Sequence, residues 1–359
     1  MILSLSGSIG AIGVNMQTGL RMAIEEINSA GGIMGRKVEL IERDDAGDPT
    51  KARTAAEELV EKQGVSLIIG TTISSPALAI APYATERKAF MLGSPSADQV
   101  NDPKQYPYLF TGTIISSMQA QIVVKYVAEV MKAKKIGILA ESTAYGNSTV
   151  AAYKAELEKR GFTNPPTEQI PQGAQDATLQ VNNLKKAGVD AVLAATLSMD
   201  SVRVLKAMQS AGWEVPYVGT SDLSSSVVIN GVGVDGMKRV YSYNQERMSF
   251  SDKKPLTPKT RDFLDKLSKK LNQKPLKDSA QMHSLYYDLG YILKWAVEKA
   301  QSTEGPKVAA ALETMKDFEG AHAVWTFTKD NHVGLGLDDI VMAQSAGLKD
   351  GAFEMAPGY

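Results

Sequence analysis

The sequence predicts an α/β protein built as two similarly wound lobes, and three observations carry that prediction. A chain of 359 residues has room for two hydrophobic cores. Apolar strand patterns alternate with amphipathic helical ones, which calls for mostly parallel sheets with helices on both faces. The alternation also restarts near residue 117, and residues 59–69 and 184–194 share one order of helix end, glycine turn and apolar strand.

The elements follow in order. Residues 2–6 read as the end of a strand. Met16, Leu20, Ala23, Ile24 and Ile27 recur at helical spacing, with Glu25 and Glu26 on the other face and Gly31-Gly32 as the stop. A strand is expected at 38–41. A helix through Ala52, Ala55, Ala56, Leu59 and Val60 opens at Asp48-Pro49. A buried strand at 65–69, a helix over 77–87 and a strand at 89–92 complete the first round. The second round has a helix over 117–131, a strand at 136–140, a helix over 147–160 and a strand at 191–195.

After a strand at 239–243 the character changes. The stretch 249–258 is polar and contains proline, and three helices are expected at about 258–272, 280–301 and 306–316. Strands at 323–328 and 340–344 finish the chain. Crossings between lobes near 111–113, 241–244 and 319–323 assign residues 1–112 and 244–321 to lobe one. Residues 113–243 and 322–359 fall to lobe two.

Composition removes several function classes. With 43% hydrophobic and 22% charged residues the chain is a folded globular one. Its net charge of −1 provides no field for phosphate backbones or anionic lipid, so nucleic acid is not an expected partner. Lys132, Lys134 and Lys135 read as a solvated helix end. The absence of cysteine excludes disulfides, thiolate nucleophiles and thiol metal sites. No apolar run approaches the ~20 residues that cross a bilayer. No basic and apolar leader precedes the first strand, so a signal peptide is expected to have been removed.

The search for catalytic spacing returns little. His283, His322 and His332 have no partners at metal-ligand spacing, so no metal is expected. Residues 231–236, GVGVDG, fit a dinucleotide fingerprint but lead into a strand, whereas that motif must open a helix. A nicotinamide-dependent dehydrogenase is thus the weakest reading, and no cofactor is expected. The acidic pairs Glu25-Glu26, Asp44-Asp45 and Asp338-Asp339 read as solvated charge, because adjacent side chains face apart. No catalytic residue is assigned.

What remains is a set of small polar loops placed just after strands, where open α/β sheets bind ligands. Loop 70–76 leaves a buried strand and opens a helix, so free N–H groups and the hydroxyls of Thr72, Ser74 and Ser75 can surround an anion. Loop 93–98 repeats this with Ser94 and Ser96, and loop 6–10 follows the first strand. Strand order makes the three loops neighbours.

These residues resemble a known family. The Ser-Gly start of the first loop, the AIEEINSAGGI core within residues 19–35, Asp44-Asp45, Asp48-Pro49 and Ile69-Gly70 carry the likeness, as do Ser74-Ser75, residues 94–97, Tyr145-Gly146 and Tyr287-Asp288. The chain resembles a periplasmic solute-binding protein of ABC importers, in the group that binds leucine, isoleucine, valine and related carboxylates. The likeness covers essentially the whole chain. It implies the type I periplasmic binding fold, two Rossmann-like lobes joined by three crossing segments.

The resemblance implies a monomeric, non-enzymatic receptor, periplasmic or lipid-anchored outside a Gram-positive cell. Such a receptor holds a small carboxylate in the interlobe cleft by hinge closure and delivers it to a membrane permease. It assigns the carboxylate to the loops around Ile73, Ser74 and Ser75 and around Ser94, Ser96, Ala97 and Asp98, and a covering role to Tyr145. Ile12, Thr72 and Ser198 complete the candidate set with Asp222 and His283. Two departures bear on the ligand: Asp98 stands where amino-acid binders have threonine, and Ser221-Asp222 where they carry the acid for the ammonium group. An inward Asp222 keeps an amino acid in view. An outward one loses the amine contact and puts an aromatic or branched carboxylic acid on an equal footing, with His283 as donor. A sensor of the same fold, acting on a regulatory partner, is the alternative function.

Overall fold

The computed structural model describes residues 1–359, which divide into two compact units. Residues 1–115 and 281–336 form the first, and 116–280 and 337–359 the second.

In the first unit the order is β1 (Ile2–Leu3), α1 (Gly10–Ser29), β2 (Arg43–Asp44), α2 (Pro49–Glu57), β3 (Leu67–Ile69), α3 (Ser74–Arg87), β4 (Phe90–Gly93) and β5 (Leu109–Thr111). The second unit begins with α4 (Ser116–Lys125), β6 (Ile136–Glu141), α5 (Ala144–Glu158), β7 (Thr167–Ile170), α6 (Thr178–Lys186), β8 (Ala191–Ala195), α7 (Ser198–Ser210) and β9 (Tyr217–Gly219). It continues with α8 (Ser226–Gly236), β10 (Val240–Gln245), β11 (Ser249–Phe250) and α9 (Pro258–Leu271). The chain returns to the first unit for α10 (Gln281–Ala300), α11 (Gly305–Leu312), β12 (Phe318–Glu319) and β13 (Val324–Trp325). It ends in the second with β14 (Ile340–Lys349) and β15 (Ala352–Met355).

Both units wind their parallel strands in the same order. In the first, β1 pairs with β2, a parallel bridge from Ile2 to Gly70 joins β1 to the end of β3, and β3-β4-β5 continue the sheet. In the second the order is β7-β6-β8-β9-β10, extended by the antiparallel β14 and β15 and by β11. Each sheet therefore changes winding direction once, between β1 and β3 in one unit and between β6 and β8 in the other. Ligands of open α/β sheets gather at that place, beyond the carboxyl ends of the strands.

Local chemistry explains the element boundaries. Asp48 caps α2 through Thr50 N and Lys51 N, with Pro49 pre-set for the first turn. Helix α1 starts at Gly10, ahead of the spacing that begins at Met16, because Gly13 lets it lie on β1: a Cβ there would be 1.9 Å from the Ser4 carbonyl oxygen. The strand expected at 38–41 is absent. Asn28 holds both the N–H and the carbonyl of Val38, which pins that segment to the last turn of α1, and pairing with β1 starts only at Arg43.

The core of the first unit is aromatic. Phe110 meets Phe90 at 5.4 Å, Phe327 edge-on at 5.8 Å and the His332 ring face-on at 3.8 Å. The core of the second is aliphatic, with Leu139, Ile170, Val181, Leu184, Val192, Val204 and Leu205 around the sheet.

The divisions between units differ from those expected at 244 and 321. Residues 244–280 stay in the second unit because β11 pairs with β15 and Leu264, Leu276 and Ala280 surround Gly351. Residues 322–336 stay in the first because β13 pairs with β12 and Gly334 N donates to Thr111 O at 2.9 Å. No helix is long and apolar enough to cross a membrane.

Candidate functional site

In the first unit the loops after β3 and β4 are fastened together by Ser74. Its side chain is buried, and Oγ accepts from Ser96 N and Ala97 N, both at 3.0 Å. Ser74 also opens α3, a helix of 14 residues, so the two loops meet where backbone N–H groups and the helix dipole favour an anion. Ser75, Ser96 and Asp98 are half-buried on the same loops, while Ile73 and Ala97 are buried beneath them.

Two expected contact hydroxyls turn inward instead. Thr72 Oγ1 accepts from Ser4 N at 2.9 Å and so closes the switch point between β1 and β3. Ser94 Oγ bonds the Tyr286 hydroxyl at 3.1 Å and reaches the carbonyls of Thr71 and Thr72 at 3.3 Å. Both residues stiffen the loops. Ile12 and His283 are buried on α1 and α10 of this unit.

The acidic pair Asp44-Asp45 departs from its solvated reading. Asp44 accepts from Leu5 N and Ala46 N at 2.8 Å and shapes the loop after β1. Asp45 is fully buried, bonds Ser4 Oγ at 2.6 Å, and is raised above the ordinary aspartate range by desolvation. The two side chains do face apart, but one face is the core.

In the second unit the residues after β6, β8 and β9 converge at the other switch point. Tyr145 lies in the first turn of α5, is buried, and donates to Gln119 Oε1 at 3.3 Å. Ser198 opens α7 in the left-handed region, with φ of 49°, and its N–H donates to Asp222 Oδ2. Ser198 and Asp222 are respectively 1% and 3% exposed, and Ser198 Oγ and Asp222 Oδ1 have no hydrogen-bond partner. The Asp222 side chain is thus buried within this unit. Burial pushes its carboxyl up to about 6.

Sequence reasoning missed Glu141, the last residue of β6. It is 1% exposed, its Oε1 accepts from Thr143 Oγ1 at 2.9 Å and its Oε2 from Leu197 N at 3.1 Å. Burial pushes its carboxyl up to about 8, opposed by those hydrogen bonds and reinforced by Asp200 and Asp222. A lone acid closing an otherwise apolar strand was the signal. Asp200, also buried, bonds Gly173 N at 3.1 Å and pairs with Arg203 at 2.7 Å.

The glycine motif 231–236 ends α8 and opens no helix after a strand, so it lacks the geometry of a dinucleotide site. His283, His322 and His332 are all packed in the interior, and no cluster of three His, Asp or Glu side chains is placed to hold a metal ion.

An anion-favouring loop edge on one doubly wound unit and buried, unsatisfied polar atoms at the strand ends of the other define a ligand-binding protein. A sequence profile of the family described as periplasmic binding protein matches residues 1–347, and the chain belongs to that family. Its members are ligand binders without enzymatic activity. The chain is similar to Leu/Ile/Val-binding protein homolog 3 of Brucella melitensis, at 26% identity over 345 residues, covering 95% of this chain and 89% of the relative. Its fold matches a type 1 periplasmic binding protein of Bordetella pertussis Tohama I with a TM-score of 0.88 at 26% identity, over 99% of this chain and 98% of that one. A solute-binding protein of an ABC transporter from Rhodopseudomonas palustris BisB5, solved with 3,4-dihydroxybenzoic acid, shares the fold with a TM-score of 0.80 at 21% identity, over 96% and 91% of the two chains.

Proposed function

We propose that this chain is the extracytoplasmic receptor of an ABC importer and that its ligand is a small aliphatic amino acid. The receptor works as a monomer, closes on its ligand and presents the closed form to a membrane permease. The ligand carboxylate is held by the first unit, at the start of α3 and the loops joined by Ser74. We assign Ser75 and Ser96, half-buried on those loops, to bond it.

One observation carries the choice of an amino acid. Asp222 Oδ1 and Ser198 Oγ are buried acceptors without a partner, and a buried acceptor left empty is costly unless a ligand fills it. An α-ammonium group brings three N–H donors and a positive charge, which suits a carboxylate beside Glu141. An acid whose tail lacks a donor leaves Asp222 unsatisfied. A name for leucine, isoleucine and valine binding on the Brucella relative supports the same class.

The dihydroxybenzoate-bound relative marks the competing chemistry, since a catechol hydroxyl also donates to a carboxylate. A thermal-shift panel separates the two. L-leucine and L-valine raise the melting temperature in proportion to the logarithm of their concentration, whereas 3,4-dihydroxybenzoate has no effect. Stabilisation by 3,4-dihydroxybenzoate alone would replace the amino-acid assignment with the aromatic one.

A further inference from the structure

The two switch points are closed by different chemistry. In the first unit a neutral hydroxyl, Thr72 Oγ1, accepts the Ser4 amide across the crevice between β1 and β3. In the second, the carboxylate of Glu141 accepts the Leu197 amide across the crevice between β6 and β8. A carboxylate buried at such a place is expensive to keep, and packing alone does not require it.

Glu141 reaches three parts of the candidate site. Leu197 N lies one residue before Ser198, so Glu141 and Asp222 hold two successive amides at the start of α7 from two different strand ends. Thr143, its other partner, caps α5 by accepting Gly146 N at 3.1 Å, and Tyr145 lies in that first turn. Gly146 presses on the Glu141 main chain so closely that a Cβ there would be 1.8 Å from the Glu141 carbonyl oxygen. Main chain and side chain of one residue thus anchor both segments.

We propose that Glu141 is a positioning residue for ligand binding: its carboxylate clasps Leu197 N and Thr143 Oγ1 and so sets Ser198, with its bond to Asp222, and Tyr145. The proposal rests on the receptor reading above, and it adds a residue that does not itself touch the ligand. Charged and titratable neighbours are Asp200 on α7, which Arg203 partly neutralises, Asp222 beyond β9, and the hydroxyls of Tyr145 and Tyr217. Ionisation of Glu141 strengthens the bond to Leu197 N, because a charged acceptor holds an amide more firmly than a neutral one. The clasp therefore tightens as pH rises through about 8.

The test uses the full-length chain, isotopically labelled, with L-leucine as probe. Amide resonances of Leu197 and Ser198 are followed from pH 6 to pH 10 in the wild type and in Glu141→Gln, and affinity is measured by calorimetry. A glutamine still accepts from Leu197 N and donates to Thr143 Oγ1, so this variant keeps the fold while losing the titration. Both amides should titrate together near pH 8 in the wild type and not in Glu141→Gln. The affinity deficit of Glu141→Gln should grow from near none at pH 6.5 to about tenfold at pH 9, the scale of one charge-assisted hydrogen bond. Amides that do not respond to Glu141, or a Glu141→Ala variant with wild-type affinity and pH profile, would overturn the proposal. Should the wild type not bind L-leucine, the amide titration still decides the positioning role, and the amino-acid reading alone falls.

Discussion

At the scale of residues, the site is a set of trade-offs between stability and binding. Asp222 shows this most clearly, since a buried carboxyl with one unpartnered oxygen resists ionisation. Its pKa rises on folding from the ordinary aspartate value to about 6. A raised carboxyl favours the fold while it is protonated, and that contribution is lost as pH rises through the folded value. Above about pH 6 the folded protein therefore bears an unrelieved charge. Asp222→Asn removes the charge and keeps an acceptor for Ser198 N. We expect its melting temperature to exceed that of the wild type by roughly 2–4 °C at pH 8 and to converge with it only near pH 4, at the ordinary aspartate value, with amino-acid binding lost. Melting curves across that range check it, and a variant less stable at pH 8 would show that Asp222 is structural. The same scale explains what the sequence did not disclose. Loops of Ser, Thr, Gly and Pro after strands are visible in the chain, so Ser74, Ser75 and Ser96 were legible. Whether a hydroxyl turns outward is decided by partners distant in sequence, and that distance hid the inward bonds of Thr72 and Ser94 and the role of Glu141.

At the scale of elements, long amphipathic helices were readable, and α9, α10 and α11 lie close to their expected spans. Short strands were not. β5, β7, β9 and β15 have three or four residues each, too few for a period to emerge, and they exist because neighbouring strands supply their hydrogen bonds. Glycines mark where helices must approach closely. Gly19 of α1 lies against α10, where an added Cβ would stand 2.0 Å from the His283 carbonyl oxygen. Backbone cannot yield as a side chain does. Gly19→Ala should therefore destabilise the protein by about 1–3 kcal/mol, as overpacking usually does. Urea denaturation measures this directly, and an unchanged midpoint would mean that α1 and α10 are less closely packed than described.

At the scale of the whole molecule, two units share one winding order. Helix α3 and the loops joined by Ser74 end the strands of the first, and Asp222, with one unpartnered oxygen, lies beyond the strands of the second. The repeat of winding was legible because helix, glycine turn and strand recur in the sequence. The point where the chain returns to the first unit, at residue 281 and not 244, was hidden, because α9 is amphipathic and suits either sheet until β15 and Gly351 are in place. The central claim is that a ligand must bring both a carboxylate and an ammonium group. Titration calorimetry of the wild type with L-leucine, L-leucinamide and 4-methylpentanoate tests it most directly. One L-leucine is expected to bind per chain, with a loss of about a hundredfold or more for each analogue, because each lacks one of the two charged groups of the ligand. Binding of 4-methylpentanoate as tight as that of L-leucine would contradict it.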